Sequence, residues 1–230
     1  EDSTSALQSA INSGAKTVIV PYMGMDWTVG PILLASDQQL LLEPGVVIAA
    51  KKGAFHGLHD CLFKGHKVRN VLIRGYGATL RMRREEYLSA DYEPSEWRHA
   101  LGIYTSTGIT VLGLTLENSG GDGIYVGPVD EEVKTSSQDV LVRDCVCRSN
   151  HRQGMSVVSG RRVRIENCEF RNTKGTAPQA GLDLEPGGPK QSLTDIEVIN
   201  CRSEDNEGSP YVVNVMRLDA ESEPVGVRFW

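Results

Sequence analysis

Val140-Leu-Val-Arg-Asp-Cys145, Val163-Arg-Ile-Glu-Asn-Cys168 and Ile196-Glu-Val-Ile-Asn-Cys201 repeat one pattern: apolar and polar residues alternate, the run closes on Cys, and Asn150, Asn172 or Asn206 follows four or five residues on. Alternation is the period of a strand with one buried face. Recurrence every few tens of residues marks stacked coils, in which each repeat buries its apolar side together with its neighbours. Upstream, Ile109-Thr-Val-Leu-Gly-Leu114, with Asn118 four residues on, and Val71-Leu-Ile-Arg-Gly-Tyr76 keep the register; downstream, Val225-Gly-Val-Arg-Phe-Trp230 fits once more. Steps between the closing positions are 38, 31, 23, 33 and 29 residues. The shortest approximates a bare coil, and the longer ones carry loops on the surface, where a solenoid places its binding walls.

A second strand family lies between these segments: Gly102-Ile-Tyr-Thr-Ser106, Gly123-Ile-Tyr-Val-Gly127, Gly154-Met-Ser-Val-Val158 and Gly181-Leu-Asp-Leu-Glu185. Period two puts Ile103, Ile124, Met155 and Leu182 inward, together with Thr105, Val126, Val157 and Leu184. The outward column is then Tyr104, Tyr125, Ser156 and Asp183, followed by Ser106, Gly127, Val158 and Glu185.

The 230 residues suit one large all-β unit, and the repeat register runs almost throughout. A net charge of -6 argues against a nucleic-acid partner, which needs a basic footprint. No apolar run is long enough to span a membrane as a helix. A leader peptide is not visible, as expected of a mature or trimmed chain. The five Cys include no C-x-x-C pair, so the three closing cysteines read as stacked interior thiols; pairing of Cys145 with Cys147 and the redox compartment stay open. The Asn residues read as one structural column satisfying backbone groups at a recurrent turn.

Ser3 to Asn12 reads as a helix with Ser3, Thr4 or Ser5 as N-cap, Ala6, Leu7, Ala10 and Ile11 on one face, and Gly14 as stop. Residues 1–15 are thus a capping helix and lead-in, and 16–230 the coil. The cap covers edges that would otherwise invite other chains. At the other end Trp230 falls on a closing position with no cap after it, the expectation for a longer parent solenoid or an oligomer formed through that end. Arg81 to His99 departs from the repeat and is expected to project as a groove wall carrying Tyr87, Tyr92, Trp97, Arg98 and His99.

The opening Thr4-Ser-Ala-Leu-Gln-Ser-Ala-Ile-Asn-Ser-Gly-Ala-Lys-Thr-Val-Ile-Val-Pro21, with Val29-Gly-Pro-Ile-Leu-Leu34 and Leu41-Leu-Glu-Pro-Gly45, resembles the start of pectate-lyase-like and polygalacturonase-like proteins. The coils after Leu101 are similar to the generic right-handed parallel β-helix repeat. This resemblance implies an all-β, right-handed, single-stranded parallel β-helix of three short sheets. It also implies a polysaccharide substrate and a secreted, extracellular or periplasmic location. Asn118-Ser-Gly-Gly-Asp-Gly-Ile124 is similar to the segment supplying one catalytic Asp in polygalacturonases, matching Asp122. Where the next motifs would bring an Asp pair and Gly-His-Gly, this chain has His151-Arg-Gln-Gly154 and Gln179-Ala-Gly181. The lyase branch implies calcium ligands and a basic residue, with no motif to match; no cofactor is otherwise required.

Stacking at about 4.8 Å per coil brings residues of neighbouring coils within reach of one sugar. Asp122, His151, Arg152, Asp183 and Glu185 are the candidate catalytic groups, with Trp97, His99, Tyr104, Tyr125, Gln153 and Ser156 as candidate substrate contacts. Hydrolysis could pair Asp122 with Asp183 across roughly 10 Å, or Asp183 with Glu185 across roughly 6 to 7 Å. Elimination would use His151 or Tyr125 as base and Arg152 to neutralise a uronate. Loss of two of the three polygalacturonase motifs leaves a non-catalytic glycan-binding or spike-like module as the alternative.

Overall fold

Alternation in the sequence becomes strands that pair in parallel with their counterparts one coil away. In the computed structural model, which describes residues 1–129 and 134–230, Val140 lies between Ile109 and Val163, and Val163 between Val140 and Ile196. Two hydrogen-bonded sheets result, of 13 and 7 strands. The larger is creased lengthwise, so each coil has three sides. Strands Arg69–Arg81 and Thr107–Glu117 run through the crease, whereas later coils divide there, as in Ser137–Arg143 with Val146–Arg148.

The crease is made by Gly77, Gly113, Asp144, Asn167 and Asn200, all in the left-handed region at φ between 48 and 79°. Gly reaches this region without penalty, and Asn and Asp tolerate it better than other side chains. The side chains also bond along the stack: Asn167 donates to Asp144 at 3.2 Å and Asn200 to Asn167 at 2.8 Å. Just inside, Cys145, Cys168 and Cys201 point their thiols at backbone carbonyls of Arg143, Glu166 and Ile199 at 3.3 to 3.4 Å. All five cysteines are free.

The Asn column divides into two. Asn118 and Asn172 share a left-handed corner with Ser149 and Asp205. Asn150 and Asn206 stand one position later and serve the backbone: Asn150 accepts from Ser119 N at 3.1 Å, and Asn206 from Thr173 N at 3.0 Å. The four- and five-residue spacings in the sequence are therefore two structural roles.

Two ends of the expected register slip. A bulge between Arg74 and Ala78 places Ala78, not Tyr76, opposite Leu114, and leaves Tyr76 46% exposed with its hydroxyl on Asp144 at 2.6 Å. At the other end Val227, not Val225, pairs with Ile196, so Trp230 misses the closing position and is 74% exposed.

Helix α1 (Thr4–Asn12) buries Leu7 and Ile11 against the first coil while Ala6 stays exposed. Gln8 clamps it by exchanging two hydrogen bonds with the backbone of Leu33. Its N-terminus is capped by Asp2, which accepts from Thr4 N at 3.0 Å, rather than by the hydroxyls of Ser3, Thr4 or Ser5. The segment after Arg81 starts with helix α2 (Arg84–Tyr87) and is held by Arg98. That guanidinium is fully buried, donates to the carbonyls of Phe55, His56 and Glu93, and lies over the rings of Tyr87 and Tyr92. Arg98 is thus the anchor of the arm rather than part of a groove wall, and Tyr87 and Tyr92 are buried with it.

Candidate active site

The 7-stranded sheet is bordered by long connections: among the described residues, 51–62, 82–100 and 172–181 lead into it, and 185–192 and 214–226 lead away. Its outer face is therefore walled on both sides. Leu101, Ile124, Met155 and Leu182 point inward in one register row, with Ile103, Val126, Val157 and Leu184 in the next. The outward row is Gly102, Tyr125, Ser156 and Asp183. Tyr104 is shifted by two residues and faces Gly127, while Thr105 forms a left-handed corner instead of filling the interior. Gly-Ile-Tyr occurs in both strands, so alternation alone could not choose between registers two residues apart.

Glycine opens these strands because the turn before them has no room. A Cβ on Gly123 would lie 2.6 Å from the carbonyl of Gly154, and one on Gly154 2.4 Å from that of Gly181. Tight turns here hold Asp122 and Arg152 beneath the start of the row. Arg152 clasps Asp122 with Nε to Oδ1 at 2.8 Å and Nη2 to Oδ2 at 2.7 Å, and Ser156 donates to Oδ2 at 2.5 Å. Burial pushes the Asp122 carboxyl up, but the guanidinium outweighs it and holds the group below the ordinary carboxylate value. Arg152 also reaches Glu96 of the arm, Nη1 to Oε1, at 3.6 Å.

His99 completes this cluster as a neutral ring. Its Nδ1 accepts from Asp122 N at 2.9 Å, so the imidazole proton sits on Nε2. Burial lowers its pKa to about 3 despite the Asp122 carboxylate nearby. The ring stacks on Tyr125 at 4.8 Å, and Tyr125 donates its hydroxyl to the carbonyl of Pro128 at 3.0 Å.

Asp183 has the opposite electrostatics. Gln153 donates to its Oδ2 at 2.8 Å, whereas Oδ1 has no hydrogen-bond partner among the described residues. It is 2% exposed. Burial, reinforced by the charges of Glu185 and Asp122, pushes its pKa up to about 7. Glu185, the first residue after the strand, accepts from Asn214 at 2.8 Å. One coil thus carries a carboxyl that keeps its proton near neutrality and a second carboxyl beside it.

Of the expected site residues, the structure gathers His99, Asp122, Tyr125, Arg152, Gln153, Ser156, Asp183 and Glu185 on this strip. His151 turns from it: Nε2 bonds Thr176 at 2.9 Å, and the ring lines the cavity under the arm. Tyr104 meets the strip only through its ring, 5.0 Å from that of Tyr125, with its hydroxyl on Cys61. Trp97 stacks on His59 at 5.0 Å, 37% exposed. It forms a wall common to two cavities, one of about 510 Å³ beneath the arm and one of about 290 Å³ over His99, Tyr125 and Arg152. Glu96 and Asn214 were not anticipated. Asn214 was within reach, because Tyr211-Val-Val-Asn214 aligns with Leu182-Asp-Leu-Glu185.

Among the described residues, no three His, Cys, Asp or Glu side chains converge as a cation site would require; Asp130, Glu131 and Glu132 lie outside the described residues.

Residues 99–216 match the family described as right handed beta helix region. A protein of Bacillus subtilis strain 168, YclG, described as uncharacterized, is 26% identical over 204 residues, which are 79% of this chain and 34% of that protein; the chain spans about a third of this relative. Among solved structures, a candidate glycosyl hydrolase from Parabacteroides merdae is similar with a TM-score of 0.66 and 18% identity, over 91% of this chain and 89% of that one. The tailspike gp49 of Acinetobacter baumannii bacteriophage Fri1, a capsular polysaccharide depolymerase, gives 0.64 and 13%, over 92% and 39%. An iota-carrageenase complexed to iota-carrageenan fragments gives 0.58 and 15%, over 88% and 46%.

Proposed function

The chain belongs to the right-handed β-helix family, and on that premise we propose that it cleaves a polysaccharide by hydrolysis, with Asp183 as general acid and Glu185 as its partner carboxylate. The observation that carries this reading is Asp183 itself: buried, beside the Glu185 carboxyl, and protonated to about pH 7. A glycosidase acid needs a raised pKa so that it can protonate the departing glycosidic oxygen at neutral pH. Glu185, two residues further on and just past the end of the strand, would activate water or attack the anomeric carbon. The anomer first released reports which.

Elimination finds less support. Its neutralising cation, Arg152, already faces Asp122 and Glu96. Of its two bases, His151 turns away and Tyr125 donates to a carbonyl. Polysaccharide as partner belongs to the same proposal and agrees with the names of the gp49 depolymerase and the carrageenase; an extracellular or periplasmic location is proposed with it.

The test is a reducing-end assay on a panel of polysaccharides with wild type, Asp183→Asn and Glu185→Gln. New reducing ends from wild type alone support the proposal. Release of unsaturated, ultraviolet-absorbing ends would replace hydrolysis by elimination, and binding without cleavage would make the chain a glycan-binding module.

A further inference from the structure

Two amides grip the carboxyl pair from opposite neighbours in the stack. Gln153, which leads into the strand before, donates to Asp183 Oδ2, and Asn214, which follows the strand after, donates from Nδ2 to Glu185 Oε1 at 2.8 Å. Strand Tyr211–Val213 pairs in parallel with Leu182–Leu184, and Val213 stands opposite Leu184. The residues that follow, Asn214 and Glu185, therefore fall side by side. Asn214 N fixes this register by donating to the carbonyl of Leu184 at 3.0 Å.

The Asn214 amide is also held in one orientation. Its Oδ1 accepts from Met216 N at 3.1 Å, an Asx turn that opens the connection 214–226 and leaves Nδ2 facing Glu185. A flip would set oxygen against the carboxyl and lose both bonds. An ionised carboxylate only accepts, so a fixed N–H donor matches it and restrains its side chain from turning.

Resting on the hydrolysis reading above, we propose that Asn214 is the positioning residue of Glu185, aiming the carboxylate that activates water or attacks the anomeric carbon. It acts through Glu185 rather than on the sugar, and the first residue of the connection 214–226 thereby enters the reaction.

The experiment compares wild type, Asn214→Ala, Asn214→Asp and Glu185→Gln in steady-state kinetics across pH, on a polysaccharide that wild type cleaves, and measures urea unfolding of each. Asn214→Ala should lower kcat about 10- to 100-fold with KM nearly unchanged. Asn214→Asp keeps the shape and the bond from Met216 N but replaces the donor by a carboxylate, and should lose at least as much. Because loss of a donor disfavours a charged carboxylate, the acid limb of kcat should move to higher pH in Asn214→Ala, with the unfolding midpoint close to that of wild type. Unchanged kcat in Asn214→Ala, or a loss that follows the unfolding midpoint and leaves the acid limb in place, overturns the inference while leaving the hydrolysis reading intact. Cleavage retained by Glu185→Gln overturns both.

Discussion

Gln153 stands between the backbone and Asp183: its amide nitrogen donates to Asp183 Oδ2 at 2.8 Å while its oxygen accepts from Ala180 N at 2.9 Å. A flip of the amide would break both bonds, so Gln153 positions the carboxyl rather than touching a sugar. Gln153→Ala should lower kcat roughly 10- to 100-fold with KM nearly unchanged. Because a donated hydrogen bond favours the charged carboxylate, its loss should also move the alkaline limb of the pH profile upward. A rise in KM at constant kcat would return Gln153 to the substrate contacts.

Asp183 should govern pH dependence in two ways. As an acid it must hold its proton, so kcat/KM should fall as pH rises through about 7. For stability the raised value means the folded state binds more protons than the unfolded one between about pH 4 and 7, so stability falls across that window and is level above it. Asp183→Asn removes this loss. Urea unfolding should show a gain on the order of 2 kcal/mol at pH 8 and almost none at pH 4, together with abolished cleavage.

The pair of Asp122 and Arg152 should be costly to halve. Asp122→Ala leaves a nearly buried guanidinium without its carboxylate, a loss of about 3–5 kcal/mol. The double variant Asp122→Leu with Arg152→Met should recover a large part of it, and a double-mutant cycle measures the difference. The depressed carboxyl of Asp122 contributes stability above its unfolded value of about 3.9, and this is lost as pH falls through the folded value. Asp122→Ala should flatten that acid limb. A double-variant cost equal to the sum of the two single-variant costs would show that the pair acts as two independent contacts.

The thiols should be silent in the native chain. Burial raises Cys61 to about 11 and Cys147 well above its usual value, while the neighbouring ladder thiols chiefly raise Cys168 and Cys201. Ellman's reagent at pH 8 should therefore react with almost none of them, and with all five after unfolding in guanidinium. Fewer than five in the unfolded chain would reveal an oxidised pair, Cys145 with Cys147 first.

The coil, the closing cysteines and the gathering of most candidate residues on one strip were legible because they depend on periodicity, which one sequence displays. The register of the strip was not. Ile103-Tyr104 and Ile124-Tyr125 satisfy alternation at two offsets, and Leu101, opposite Ile124, decides between them. Arg98 was misread for another reason: its burial depends on carbonyls of Phe55, His56 and Glu93, which only the folded arm assembles. The protonation of Asp183 is similarly a property of enclosure rather than of residue type.

The left-handed corners punctuate the chain much as spaces separate words. One residue inserted within a strand would turn every later apolar side chain of that strand outward until the next corner resets the frame. An insertion at a corner beside the 7-stranded sheet costs no such inversion, and the segment 82–100 is placed there. The molecule can therefore exchange the text of its walls without respelling the strand that carries Asp183.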